Sequence, residues 1–165
     1  MKEIKLTIDG GEVQLTDEQL KMLGVESNKR INPFETVVRF EDYYSVEKNN
    51  EVYAYMDTGS SVDNQLYDAA NYFNDKSFAK QVALHHFLYR KLLKFSYENK
   101  CADVEWNGRN DHWCIYYDPD DLKYCVAGFG SHKFDGVWFS SEDAAKHAIK
   151  EVVEPFVKEH PEFVW

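Results

Sequence analysis

The string Asp118-Pro119-Asp120-Asp121-Leu122-Lys123 crowds three carboxylates and an amine into six residues. Its letters overlap those of a PD-(D/E)xK nuclease core. Nuclease carboxylates, however, must converge on a metal from separate strands, whereas these share one short stretch whose composition is that of a turn. A calcium loop needs a central glycine and a downstream bidentate glutamate, and neither is in place. His85 and His86 are adjacent; on a helix they project about 100° apart and cannot chelate one ion. Cys101, Cys114 and Cys125 form no C-x-x-C pair, and an odd count argues against a disulfide framework. G-x-S-x-G, H-E-x-x-H, G-x-x-x-x-G-K-[ST] and G-x-G-x-x-G are all absent. The sequence therefore predicts no catalytic residue, no metal site and no cofactor, and a protein that is not an enzyme.

Charge and aromatic rings remain as the chemistry to be used. The formal net charge of the 165 residues is −10. Residues 101–165 hold 13 acidic against 6 basic groups, and residues 1–100 hold 16 against 13. Such a field repels duplex DNA and anionic membranes and speeds association with basic surfaces. The residues expected to meet a basic partner are Asp118, Asp120 and Asp121 at a hairpin tip, with Asp143, Glu151, Glu154 and Glu159 along the last helix. A second chemistry is open to Tyr44, Tyr53 and Tyr55, whose rings could stack on a nucleobase. Arg90, Lys91 and Lys94, on the basic arc that Lys76 and Lys80 begin, would then hold its phosphate. That alternative is a small-ligand module or a sponge for a nucleotide signal.

The elements that must position these residues are read from periodicity and breakers. The chain is 44% hydrophobic, with 11 Phe, 11 Tyr and 4 Trp, enough for a packed interior. No apolar run reaches the roughly 20 residues that span a bilayer, and residues 1–13 alternate like a strand, with no apolar signal-peptide core. The expected compartment is the cytoplasm. Ile4, Leu6 and Ile8 alternate with polar residues, Gly10-Gly11 turns the chain, and Thr16 caps a short helix over 17–23 that Gly24 ends. Residues 25–33 read as a linker. One unit then occurs twice, over 34–100 and 101–165.

In the first unit, strands at 42–48 and 51–58 flank a two-residue Asn49-Asn50 turn. A polar connection leads to the segment 66–73, and a helix follows over 76–98, with Phe78, Val82, Tyr89, Leu92 and Leu93 on its apolar side and His85 or His86 bonded to a tyrosine such as Tyr89. In the second unit, strands at 112–118 and 122–129 turn through 119–121. Cross-strand pairs then sum to 239, so Ile115 faces Tyr124, Tyr117 faces Leu122, Trp113 faces Val126 and Cys114 meets Cys125. Trp113, Ile115, Tyr117, Leu122, Tyr124 and Val126 make one apolar face. On the other face Tyr116 meets Lys123 and His112 meets Ala127. A short strand over 136–139 and a helix over 141–157 follow, the helix covering the apolar face with Ala145, Ala148, Ile149, Val152, Val153 and Phe156. The segments 71–80 and 137–146 align, Phe73 with Phe139 and Ala79 with Ala145. The fold class is α+β: an N-terminal hairpin–helix, then two antiparallel hairpin units each covered by a helix. Half-apolar sheet faces and surplus tyrosines predict cover by the sister unit or by a second copy, as a homodimer.

The opening KLTIDGGEVQLTDEQLKMLGV, the stretch YYSVEKNNEVYAYMD…LYDAANYFNDKSFA and the segment VWFSSEDAAKHAIKE resemble small acidic accessory proteins of phages and prophages of Gram-positive bacteria. The resemblance implies a phage origin and an inhibitor role, such as that of anti-CRISPR proteins, in the cytoplasm of an infected host. It transfers no site residues. Together with the charge it leads to the expectation of a non-enzymatic protein that occludes a basic functional surface of a host defence protein.

Overall fold

The computed structural model describes residues 6–8, 11–13, 32–103, 105, 109–132 and 136–165. In chain order these form β1 (Leu6–Ile8), β2 (Gly11–Val13), β3 (Asp42–Val46), β4 (Val52–Met56), α1 (Ser61–Asp68), α2 (Lys76–Glu98), β5 (His112–Asp118) and β6 (Lys123–Phe129). The chain ends with α3 (Glu142–Ala148), a π-helical turn (Ile149–Val153) and α4 (Glu154–Glu159). The strands make three two-stranded antiparallel sheets, β1–β2, β3–β4 and β5–β6. The class is α+β, and each of the two larger hairpins lies against a helix, β3–β4 against α2 and β5–β6 against α3. The N-terminal hairpin pairs Leu6 with Val13 and Ile8 with Gly11; the helix expected over 17–23 lies outside the described residues.

In the first unit Val46 pairs with Val52, and Glu47 donates its N–H to the Glu51 carbonyl at 2.9 Å. The loop thus has three residues, Lys48 to Asn50, not two. Asn50 takes the left-handed conformation (φ 66°), the usual closure of a three-residue hairpin loop. The connection expected between β4 and residue 66 is instead a helix, α1. Its Ser60 and Asp63 form a reciprocal capping box. The Asp63 carboxylate also accepts from the Tyr43 hydroxyl at 2.9 Å and from the Thr58 N–H at 3.1 Å. Tyr43 stacks on Tyr72 with ring centroids 4.0 Å apart, and Val37 and Leu66 complete this small core.

The second unit holds the larger core, built from Phe139, Ala145, Ala148, Val153, Phe156 and Phe163 together with Leu88 and Leu92 of α2. The buried line of α2 runs through Ala79, Ala83, Leu88, Leu92 and Ser96, so Tyr89 and Leu93 lie outside it and are exposed. His85 and His86 are exposed too, and His85 meets the Phe163 ring instead of Tyr89. On the last helix Ala145, Ala148, Ile149, Val153 and Phe156 are buried and Val152 is half-buried, as the sequence predicts. Its interruption has a cause in Pro155, which has no N–H for the Glu151 carbonyl and whose ring would crowd it. The Glu154 N–H reaches back five residues to Ile149, and the wider turn makes room for the ring.

The β5–β6 register differs from the expected one by two residues. Asp118 pairs with Lys123, Tyr117 with Tyr124, Tyr116 with Cys125, Ile115 with Val126, Cys114 with Ala127, Trp113 with Gly128 and His112 with Phe129. Cys114 and Cys125 are therefore diagonal, not opposed. A slip of two preserves which side chains share a face, so only Leu122 leaves the apolar set. It is 75% exposed, in the loop, with φ 52°. The expected strand over 136–139 shrinks to Phe139, which bridges Trp113 on one side and Ala102 on the other.

Candidate functional site

The loop between β5 and β6 is shaped by its own carboxylates. Asp118 Oδ1 accepts the N–H groups of Asp120 and Asp121 at 3.0 and 3.3 Å, and Asp121 pairs with Lys123 at 2.5 Å. Asp118 and Asp121 are thus occupied in the turn, while Asp120 projects into solvent. At the start of α3 the Ser141 hydroxyl caps the Ala144 N–H at 3.2 Å, and Glu142 and Asp143 sit in the first turn, where the helix dipole favours negative charge. Glu142 pairs with Lys146 at 2.6 Å and Glu151 lies 3.8 Å from His147. Because Ala145, Ala148, Val153 and Phe156 turn inward, Asp143, Glu151, Glu154 and Glu159 turn out and are exposed. Asp120, Asp143, Glu154 and Glu159 have no cation within ion-pair distance among the described residues. Glu162, exposed just beyond α4 and without an ion pair among the described residues, adds a further carboxylate that helical periodicity could not find. These groups spread along a helical stretch of about 27 Å and the hairpin tip; they make a surface, not a pocket.

The tyrosines and cations of the alternative reading lie on different elements, the tyrosines on β3 and β4 and the cations on α2. Tyr53 and Tyr55 stand exposed on β4, their hydroxyls donating to Glu51 at 2.6 Å and Glu47 at 2.8 Å. With Lys48 and Asn49 they line an open recess of about 360 Å³. The bond to Glu47, and secondarily desolvation, pushes the Tyr55 phenol up. Tyr44 is half-buried beside Phe73. On α2, Lys91 lies over the Phe87 ring at 4.7 Å and Lys94 pairs with Glu98 at 3.6 Å. No hydrogen bond, ion pair or ring contact joins Tyr44, Tyr53 or Tyr55 to Arg90, Lys91 or Lys94. A phosphate beside the tyrosines would meet Glu47 and Glu51 on the tyrosine hydroxyls, with Lys48 the cation that lines the recess.

One pair escapes sequence reasoning. Asp103 and His112 meet side chain to side chain at Nδ1, both largely buried, at a recess of about 270 Å³ that Glu105, Asn110, Asp111 and Ser140 also line. Asp103 lies in a stretch without periodicity, nine residues from its partner, so no spacing signals the contact. A carboxylate-held imidazole can serve as a general base when a nucleophile lies within hydrogen-bond reach, but the Ser140 hydroxyl makes no bond to the ring. Among the described residues no cluster of three or more His, Cys, Asp or Glu could hold a metal ion, and no helix is long and apolar enough to cross a membrane. No protein-family model, curated protein or solved structure matches the chain.

Proposed function

We propose that the protein acts without catalysis, by laying the acidic outer surface of its second unit over a basic functional surface of a partner protein and so blocking it. The observation that supports this reading is the set of exposed carboxylates with no cation within ion-pair distance among the described residues: Asp120, Asp143, Glu154 and Glu159. Most surface carboxylates cost little to leave unpaired, but grouping like charges on one unit raises a field of several kT that steers a basic partner into place. The resemblance to phage accessory proteins makes a defence protein in the cytoplasm of a bacterial host the partner of choice. The test uses the full chain and a variant with these four residues changed to lysine as parallel baits in a host lysate. The expected result is a partner retained by the native chain at low salt, released as salt rises, and missed by the variant. Equal capture by both baits would remove the reading, and a rise in melting temperature with added nucleotide would put the ligand-binding alternative in its place.

A further inference from the structure

We infer that the outer edge of β4 is a docking site for an extended basic segment of a partner polypeptide, added as a further strand to the β3–β4 sheet. Tyr44 exchanges backbone hydrogen bonds with Phe73, at 2.7 and 2.9 Å, so its N–H and C=O point away from β4. In an antiparallel pair such orientation alternates and is shared by directly opposed residues. Ala54, opposite Tyr44, therefore aims its N–H and C=O away from β3, and Val52 and Met56 do the same two residues to either side. Glu41 and Glu47, bonded to Asp57 and Glu51, confirm the opposite parity. The outward groups of Val52, Ala54 and Met56 have no partner among the described residues. From Tyr53 through Met56 every side chain of β4 is exposed, which is the condition natural edges avoid unless they are used.

The chemistry along the edge selects the occupant. Glu41, Asp42, Glu47, Glu51 and Asp57 flank it against Arg39 and Lys48. A second copy in the self-pairing register centred on Ala54 would set Glu51 against the partner's Asp57, like charge on like charge. An incoming strand with arginine or lysine on one face and apolar residues on the other meets no such clash. Its cations would lie over the exposed rings of Tyr53 and Tyr55 and beside Glu47 and Glu51, and its apolar residues would extend over Ala54 and Met56. Strand addition draws affinity from main-chain bonds and specificity from alternate side chains. The inference is independent of the acidic surface of the second unit, since a short strand reaches β4 alone.

The probe is a capped hexapeptide alternating arginine and valine, with one alternating glutamate and valine as control, added to the full chain. Amide hydrogen exchange at Val52, Ala54 and Met56 should slow about tenfold or more with the arginine peptide, and not with the glutamate peptide. Ala54→Pro, which removes an outward N–H at an edge position that tolerates proline, should weaken binding about tenfold. Should that variant not fold, the arginine peptide N-methylated along one edge gives the same comparison. Slowing by both peptides or by neither overturns the inference. So does protection in the protein alone: independent of concentration, it means that the chain covers its own edge; rising with concentration, it means that a second copy does.

Discussion

Phe73 and Phe139 each exchange two backbone hydrogen bonds with the first strand of the hairpin before them, Phe73 with Tyr44 and Phe139 with Trp113. Two residues after each stands the N-cap of a helix, Asp75 or Ser141, and four residues after that a fully buried alanine, Ala79 or Ala145. The strands agree as well: Tyr43 and Ser45 are buried where Tyr44 and Val46 are half-buried, and His112 and Cys114 where Trp113 and Ile115 are. In both places a lone extended residue pins a helix entrance to a hairpin, and this is how two short hairpins acquire a helical cover.

That geometry predicts large losses on truncation. Phe73 is 1% exposed and Phe139 is completely buried, so Phe139→Ala should cost about 3–5 kcal/mol, cavity included. Phe73→Ala, which would remove the ring that packs beside Phe34 and Phe78, should fall at the lower end of that range. Urea denaturation with unchanged m-values checks both.

Much of this was legible and some was not, for reasons that sit in single residues. The apolar face of β5–β6 is readable because side-chain parity survives a slip of two; its register is not, because the loop is closed by Leu122 in a left-handed conformation, which no propensity assigns to leucine. Helix α1 has a clear signal in the reciprocal Ser60 and Asp63, hidden only by the polarity of its surroundings. Pro155 marks the π turn. The outward carboxylates of the last helix follow from helical phase, whereas the meeting of Asp103 with His112 depends on Phe139 bridging Ala102 on one side and Trp113 on the other, which no local pattern encodes.

The Tyr43–Asp63 cluster predicts a pH window. The Ser60 N–H above all, reinforced by the Ser60 and Tyr43 hydroxyls and the Thr58 N–H, holds the Asp63 carboxyl well below the usual range against the opposing effect of burial. Its contribution is complete above about pH 4, the unfolded value, and is lost as pH falls further. Burial first, then the bonds to Asp63 and Asp57, push the Tyr43 and Tyr72 phenols up. Only the unfolded chain loses these protons near pH 10, so stability from this source is present below about pH 10 and declines above it. Asp63→Asn should cost about 2–3 kcal/mol at neutral pH by setting an amide against the Ser60 and Thr58 donors, and should flatten the acid limb. Melting temperature measured from pH 2 to 11 reads both limbs.

The Cys114 thiol should be inert in the folded protein. Burial pushes the Cys114 thiol up, so a thiol reagent at pH 7 should modify it only after unfolding. Diagonal neighbours on a sheet face stand about 7–8 Å apart, at or beyond the reach of a disulfide. Mild oxidation should therefore leave Cys114 and Cys125 unlinked in the native protein, as mass spectrometry of tryptic peptides would show. A linked peptide in the folded state would mean that the register is displaced.

Charge reversal separates a field used for recognition from one that serves solubility. Changing Asp120, Asp143, Glu154 and Glu159 to lysine shifts the formal charge by two at each position, from −10 to −2. All four are exposed and unpaired among the described residues, so each change should move stability by no more than about 0.5 kcal/mol. Asp143, at the N-terminus of α3, should cost the most, because lysine there opposes the helix dipole. Against the captured partner, association should slow by about tenfold or more at low salt while dissociation changes little, because exposed charges act on encounter more than on residence. The salt dependence of the association rate should flatten in the same variant. Stopped-flow association at two ionic strengths, native beside variant, gives both numbers. A variant that associates at the native rate yet precipitates more readily would show that the carboxylates keep the protein dispersed and steer nothing.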